Sequence, residues 1–409
     1  VGNYFRKGSA ASTFGASITH ARASSATMMN SSGALVTVGS NVPRTGHHVY
    51  NGSAWVNEGI LHESEARTNL FTSSGDLSGT GWSGNMTRGA VTSGSPFGTY
   101  HTISPTASGG MGEAQRYQIG KTLTSGATYV GWALVKYSAG SGWFDINMYD
   151  TGDSTKRAYF DVQNGVVGVK DAAIIDHGMV DYGDGWWLCW ASANAASTSG
   201  GPLYEVPNGN GSQVGSTADV ILIAGTQFEL GPTPSSYIPT TSASVTRAAE
   251  TLTVPAANLP YDSTNMSIQI DGKMNYVNKN LIRQVQFVKW VADSSNGIEQ
   301  FACSSSGSFP NGAVAFFQEA AATTDTRITP AQTLPFGINV PFNISSRHGS
   351  TFLNGSVGGV ALTANTTPTA LPALSSTDLE LGQLFMGTIK EFRMWSDDLG
   401  DVGIAEAST

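Results

Sequence analysis

Tyr129-Val-Gly-Trp-Ala-Leu-Val135, Trp143-Phe-Asp-Ile-Asn-Met-Tyr149, Ala158-Tyr-Phe-Asp-Val162 and Trp186-Trp-Leu-Cys-Trp-Ala191 are the stretches whose reading decides the fold. In each, large apolar residues alternate with small or polar ones. A period of two places successive side chains on opposite faces of a strand. Val220-Ile-Leu-Ile-Ala224 is instead continuously apolar, as expected of a strand covered on both faces. Gly, Asn, Ser and Asp separate these runs, so the pattern predicts short antiparallel strands in a sandwich. Helical periodicity is nearly absent. The one candidate helix, Asn57 to Asn69, mixes Glu58, Glu63 and Glu65 with Ile60, Leu61 and Ala66, and is weakened by Gly59.

Working outward, the alternation returns in Met266-Ser-Ile-Gln-Ile-Asp271, Gln284-Val-Gln-Phe-Val-Lys-Trp290, Leu379-Glu-Leu381 and Met386-Gly-Thr-Ile-Lys-Glu-Phe-Arg-Met-Trp395. A hairpin is expected across Asn354-Gly355, and a short terminal turn or helix over Ser396 to Thr409. Thr233 to Thr246 is rich in Pro, Ser and Thr and cannot be helical, so it marks a joint. Residues 1–68 lack regular pattern. They carry turn signals at Asn30-Ser-Ser-Gly33 and at Asn51-Gly52, the latter just before Trp55. The expected organisation is all-β: antiparallel β-sandwich (jelly-roll) modules in tandem behind an extended N-terminal segment. Its parts are 1–68 (extended chain and small hairpins packed on a neighbour), 69–246 (first sandwich) and 247–409 (second sandwich).

Composition narrows the function classes. Charged residues make up 12% of the chain while hydrophobic ones reach 40%, with nine Trp, thirteen Tyr and seventeen Phe. That aromatic content is too high for a disordered linker protein. The formal net charge is −9 and no Lys/Arg cluster stands out. Neither a nucleic acid nor an anionic membrane surface is therefore an expected partner. A weakly charged surface rich in hydroxyls and amides suits a neutral polar ligand such as a glycan. Cys189 and Cys303 fall in different modules and read as buried reduced thiols. No run of about 18 apolar residues exists, so no membrane helix is expected. Val1 to Ala16 carries Arg6 and Lys7 with no apolar core behind them; synthesis in a cytoplasm without a signal peptide is the expectation.

Three stretches resemble a recurring tail-fibre and tail-protein architecture of tailed bacteriophages. The first runs from Ala21-Arg-Ala-Ser-Ser-Ala-Thr27 through Gly33-Ala-Leu-Val-Thr-Val38 and Asn41-Val-Pro-Arg44 to Gly59-Ile-Leu-His-Glu-Ser-Glu-Ala-Arg-Thr-Asn-Leu70. The second is Tyr182-Gly-Asp-Gly-Trp-Trp-Leu-Cys189. The third is Ala224-Gly-Thr-Gln-Phe-Glu-Leu-Gly231 with Pro234-Ser-Ser-Tyr-Ile-Pro-Thr-Thr241 and Val245-Thr-Arg-Ala-Ala249. Together they span roughly residues 21–250. The resemblance implies a carbohydrate-binding-like sandwich on a virion surface fibre. The C-terminal module is similar to concanavalin-like or laminin-G-like lectin domains, through Ser346-Arg-His-Gly-Ser-Thr-Phe-Leu-Asn-Gly355 and Gly387-Thr-Ile-Lys-Glu-Phe-Arg-Met-Trp-Ser-Asp-Asp-Leu399. It departs from that pattern where Gly400-Asp401 displaces the acidic residue after the final Leu. The implied partners are a host surface glycan, other virion proteins through the N-terminal segment, and two further copies in a homotrimer.

No catalytic constellation emerges. Asp145, Asp150, Asp153, Asp161, Asp181 and Asp184 are the acids that a glycosidase would have to pair. Asp150-Thr-Gly-Asp153 and Asp181-Tyr-Gly-Asp184 read as turn chemistry instead. His47-His48, with His20 and His62 in the same segment, would point to opposite faces of a strand and read as polar surface or turn residues rather than metal ligands. Asp397, Asp398 and Asp401 offer oxygens of the kind calcium takes, but a solvated acidic turn is the preferred reading, so neither a metal nor a cofactor is expected. The function expected is non-enzymatic. Sugars stack their C–H faces on aromatic rings, which makes Trp82, Tyr100, Trp143, Tyr149 and Trp187 the candidate binding residues. Trp186 and Trp187 face opposite sides of one strand, so one is core and the other free for display. Trp82, in Gly79-Thr-Gly-Trp-Ser-Gly84, is the leading candidate because Gly-rich loops bury themselves poorly.

Overall fold

In the computed structural model, residues 5–7, 10–12, 17–79, 81–110, 115–276, 284–303 and 309–409 are described. The chain is built almost wholly of antiparallel strands in two sandwiches. One sheet of the first sandwich orders Met86–Arg88, Gly98–Pro105, Val220–Leu230, Thr128–Ala139, Trp186–Asn194 and Ile174–Asp181. The facing sheet orders Gln115–Tyr117, Leu203–Glu205, Trp143–Asn147, Arg157–Asp161 and Val166–Lys170. Between them lies a core that includes Ala133, Val135, Cys189 and Ile223 from one sheet and Phe144, Ile146, Phe160 and Tyr204 from the other.

The first of these sheets is apolar on its other face as well. Trp132, Leu134, Trp186, Leu188 and Trp190 form a second cluster there, covered by Leu35, Phe97, Tyr182 and Ile338. This double coverage explains the unbroken run Val220-Ile-Leu-Ile-Ala224: a central strand with protein on both sides has no solvent face to mark.

The second sandwich packs Met266, Ile268, Ile270, Phe342, Ile344 and Phe392 against Leu252, Val288, Trp290, Ile298, Val314 and Phe316. Its strands include the long antiparallel pair Asn265–Tyr276 and Gly337–Gly349. The chain ends in the helix Gly400–Ala407. No described helix is long and apolar enough to cross a membrane.

The described part of the N-terminal segment packs on the rest of the chain. The hairpins Ala26–Met29 with Leu35–Val38 and His48–Tyr50 with Trp55–Asn57 do form at the two turn signals. Thr19–Ala21, however, is an edge strand on Thr251–Val254, and Ile60–Glu63 pairs with Met386–Trp395, both within the second sandwich. Asn57 to Asn69 is not a helix. All four residues of Ile60–Glu63 are buried in that pairing, and tertiary burial overrides a weak helical pattern. Asn354-Gly355 is not a turn either. Both residues lie inside the strand Leu353–Val357, and the chain reverses at Gly358-Gly359. Glycine is required at 355 because the Phe316 ring sits 2.1 Å from where a Cβ would be.

Candidate functional site

At the junction of the two sandwiches the described chain buries a cluster of ions. Arg44 reaches Glu63 Oε2 at 2.7 Å and Glu250 Oε2 at 2.7 Å, Arg22 binds Glu250 Oε1 at 2.5 Å, and Arg247 lies 3.1 Å from Glu63. The Glu63 backbone N–H donates to Glu250 at 2.7 Å, and Ser236 donates to Glu63 from both its N–H and its hydroxyl. Burial alone would raise the Glu63 carboxyl, but Arg247 and Arg44 hold it down at about 2. Burial likewise works against Glu250, yet His20 and Arg44 beside it keep its carboxyl below the usual range. These contacts tie segments around residues 22, 44, 63, 236, 247 and 250 into one knot.

A cleft opens beside this knot, with Glu63 and Ser236 in its lining. It continues into a second space through shared residues Val49, Tyr50, Val180, Asp181, Ile338 and Asn339. One wall is a series of rings. Tyr50 and Trp55 lie 5.6 Å apart, Trp55 and Tyr182 5.9 Å, Tyr182 and Phe97 5.9 Å, and Phe97 stacks on Tyr237 at 4.7 Å. Tyr50, Trp55, Phe97 and Tyr182 are half-buried. The Asn51 carboxamide accepts from the N–H groups of Ser53 and Ala54 and closes the turn that carries Tyr50 and Trp55. Gly33, with φ +74, lets the indole of Trp55 lie on its backbone; a Cβ there would meet the ring nitrogen at 2.2 Å.

Polar groups complete the cleft. Asp181 accepts from Gly183 N–H through Oδ1 at 2.8 Å, and Asn339 is held at φ 55 with its N–H on Asn275 Oδ1 at 3.0 Å. His47 accepts a hydrogen bond at Nδ1 from Met29 N–H at 3.2 Å, which requires the neutral ring; burial and then Arg44 push it down to about 3. His48 lies in the same hairpin with Nδ1 2.8 Å from Gly46 O.

The five aromatic candidates from the sequence are not brought together, and none lines this cleft. Trp82 is only 8% exposed and packs in the core against Phe71 and Tyr204. Its indole N–H donates to Ser73 O at 2.6 Å, so the loop folds inward where display was expected. Tyr100 is half-buried with its ring 5.8 Å from Trp186. Trp143 is half-buried on the outer face of the five-stranded sheet, close over Gly168. Tyr149 is half-buried beside Asp150 and Lys156. Trp187 packs half-buried over Gly165 and against the first core, while Trp186 is core. The cleft rings escaped notice because they come from distant segments. The Asn51-Gly52 turn was the one local signal, since a tight hairpin presents the residues that flank it.

His20 and His62 are buried at the ion knot rather than on the surface: His20 lies 3.6 Å and His62 3.9 Å from Glu250. Among the described residues no group of three or more His, Cys, Asp or Glu is arranged to hold a metal. Asp398 and Asp401 both bind Arg347, at 2.8 and 2.9 Å. Of the acids considered for catalysis, Asp150 accepts from Gly152 and Asp153 N–H groups and Asp161 from Asn164, which is turn chemistry. Asp145 faces Glu205 across adjacent strands, with Arg157 on Glu205 at 3.0 Å, but this pair is fully buried. Cys189 and Cys303 are buried and not joined in a disulfide.

No protein-family model matches the chain, and neither does any curated protein sequence. Some solved structures are similar over part of the chain. The receptor binding domain of botulinum neurotoxin mosaic serotype C/D is 13% identical at a TM-score of 0.31, over 39% of this chain and 39% of that one. A leech intramolecular trans-sialidase complexed with 2,7-anhydro-Neu5Ac is 17% identical at 0.29, over 36% of this chain and 23% of that one. The CBM40 of the Ruminococcus gnavus IT-sialidase is 14% identical at 0.28, over 36% of this chain and 84% of that one. The chain thus spans about two fifths of the length of the neurotoxin domain it matches. The likeness is partial.

Proposed function

We propose that this protein is a non-enzymatic glycan-binding protein of a bacteriophage virion surface, a tail or head fibre that engages host polysaccharide through the junction cleft. The observation that carries the reading is the series of half-buried rings, Tyr50, Trp55 and Tyr182, set beside Asp181 and Asn339 in one open cleft. Sugars present an apolar C–H face and a ring of hydroxyls, and an aromatic wall flanked by a carboxylate and an amide answers both. Attachment to the virion through the N-terminal segment and assembly as a homotrimer belong to the same proposal. Three weak sites on one particle bind far more tightly than one, because the second and third engage at high effective concentration.

The test is binding of the purified protein to a panel of bacterial surface polysaccharides, with the chain length of the polymer followed afterwards. Saturable binding that leaves the polymer intact, and that falls at least roughly tenfold in Tyr50→Ala and Trp55→Ala, is expected. A loss of that size corresponds to about 1.4 kcal/mol, typical of an aromatic contact with a ligand. Absence of binding would make the chain a purely structural subunit. Shortened polymer would make it a depolymerase.

A further inference from the structure

We infer that the junction cleft selects uncharged, hydroxyl-rich sugars and rejects those carrying sialic or uronic acids; this rests on reading the cleft as a glycan site. Selectivity follows from which charges in the cleft are free. Recognition of a carboxylate sugar calls for an arginine fork or an unengaged ammonium. No arginine lines either part of the cleft among the described residues. Its one lysine, Lys273, is 2.8 Å from Glu58 and is neutralised there. His47 is a neutral ring by its hydrogen bond from Met29 N–H, and His177 is directed to Gly168 O at 3.3 Å, with burial lowering its pKa.

The acids divide the other way. Glu63 is engaged by Arg44, Arg247 and Ser236. Asp181 and Asp176 each use one oxygen on a backbone N–H, of Gly183 and His177 respectively. The second oxygen of each has no hydrogen-bond partner among the described residues and is free to accept from a ligand hydroxyl. Both aspartates, with Asn339, line the space that Tyr50 shares between the two parts of the cleft. A sugar stacked on Tyr50 therefore meets carboxylates on its polar edge. Carboxylates strengthen hydrogen bonds from neutral hydroxyls and repel a sugar that brings its own negative charge.

Calorimetric titration of the full chain decides it. The probes are neutral oligosaccharides (maltohexaose, cellohexaose, chitohexaose) and anionic ones (sialyllactose, oligogalacturonate, oligosialic acid). Binding confined to the neutral set and insensitive to salt supports the inference. So does a loss in Asp181→Asn, with Asn339→Ala as a second variant that alters no charge. Preference for the anionic set, or a gain in neutral binding on Asp181→Asn, overturns the charge argument while leaving the cleft a glycan site. Neutral binding that survives Tyr50→Ala unchanged overturns the assignment to this cleft. Binding of neither set overturns the glycan reading itself.

Discussion

Two pairs of acids are buried in this chain, and their surroundings hold them in different charge states. At the junction, Glu63 and Glu250 sit among Arg22, Arg44 and Arg247, and both carboxyls are held below their usual range. In the five-stranded sheet, Asp145 and Glu205 face each other across strands with Arg157 as their one ion-pair partner among the described residues. Arg157 is 3.0 Å from Glu205 but 4.0 Å from Asp145. Burial and then the Glu205 carboxylate push Asp145 well above the usual aspartate range, with Tyr159 and Asp171 adjoining and only Arg157 opposing. The difference teaches that burial does not by itself decide whether a carboxyl ionises. The number of guanidinium groups within reach decides it, because each supplies both charge and fixed donors.

The largest expected effect breaks the first pair. Arg44→Met leaves two buried carboxylates short of their shared counter-charge, and uncompensated buried charge costs roughly 3–5 kcal/mol. Urea unfolding followed by Trp fluorescence should show that loss, and a change below about 1 kcal/mol would mean that Arg22 and Arg247 suffice. Thermal stability as a function of pH should separate the two pairs next. The Glu63 pKa is depressed when folded, so its contribution is present above the ordinary glutamate value and is lost as pH falls toward about 2. The Asp145 pKa is raised when folded, so its contribution is present below the ordinary aspartate value and is lost as pH rises through the folded one. Glu63→Gln should flatten the acid limb and Asp145→Asn the upper limb; exchange of those assignments would refute the comparison.

At neutral pH, Asp145→Asn mimics the protonated acid in shape. Because it needs no proton on folding, it should stabilise the chain, whereas Glu63→Gln, which removes a charge that Arg44 and Arg247 need, should destabilise it. The smallest effect sets the baseline. Lys136 and Asp184 make a 3.0 Å ion pair at the surface. Asp184→Asn should move stability by less than about 0.5 kcal/mol, and a loss like that of Arg44→Met would show that burial is not what distinguishes these pairs.

Much of this was legible in the sequence, and the failures have specific causes. Alternation of large apolar with small or polar residues in Trp143–Asn147 and Trp186–Asn194 identified strands because successive side chains point to opposite faces of a sheet. The turns at Asn30–Gly33 and Asn51-Gly52 were readable because glycine and asparagine chemistry is local. Trp82 was misplaced because a Gly-rich loop marks flexibility of the backbone, not where its one large side chain finds a partner. Asn354-Gly355 carried a turn signal that the Phe316 ring, from another strand, overruled.

By itself, then, the sequence determined the all-β class, the strand-rich modules and the neutral polar character, since period, turn chemistry and composition act within a few residues. Only the tertiary structure decided that Glu250 would gather Arg22 and Arg44, that Ile60–Glu63 would complete a sheet of the second sandwich, and that Tyr50, Trp55 and Tyr182 would share a wall. Those are contacts between segments far apart in the chain. Their closure depends on the apolar area and ionic complementarity gained when the two sandwiches meet, which no local pattern encodes.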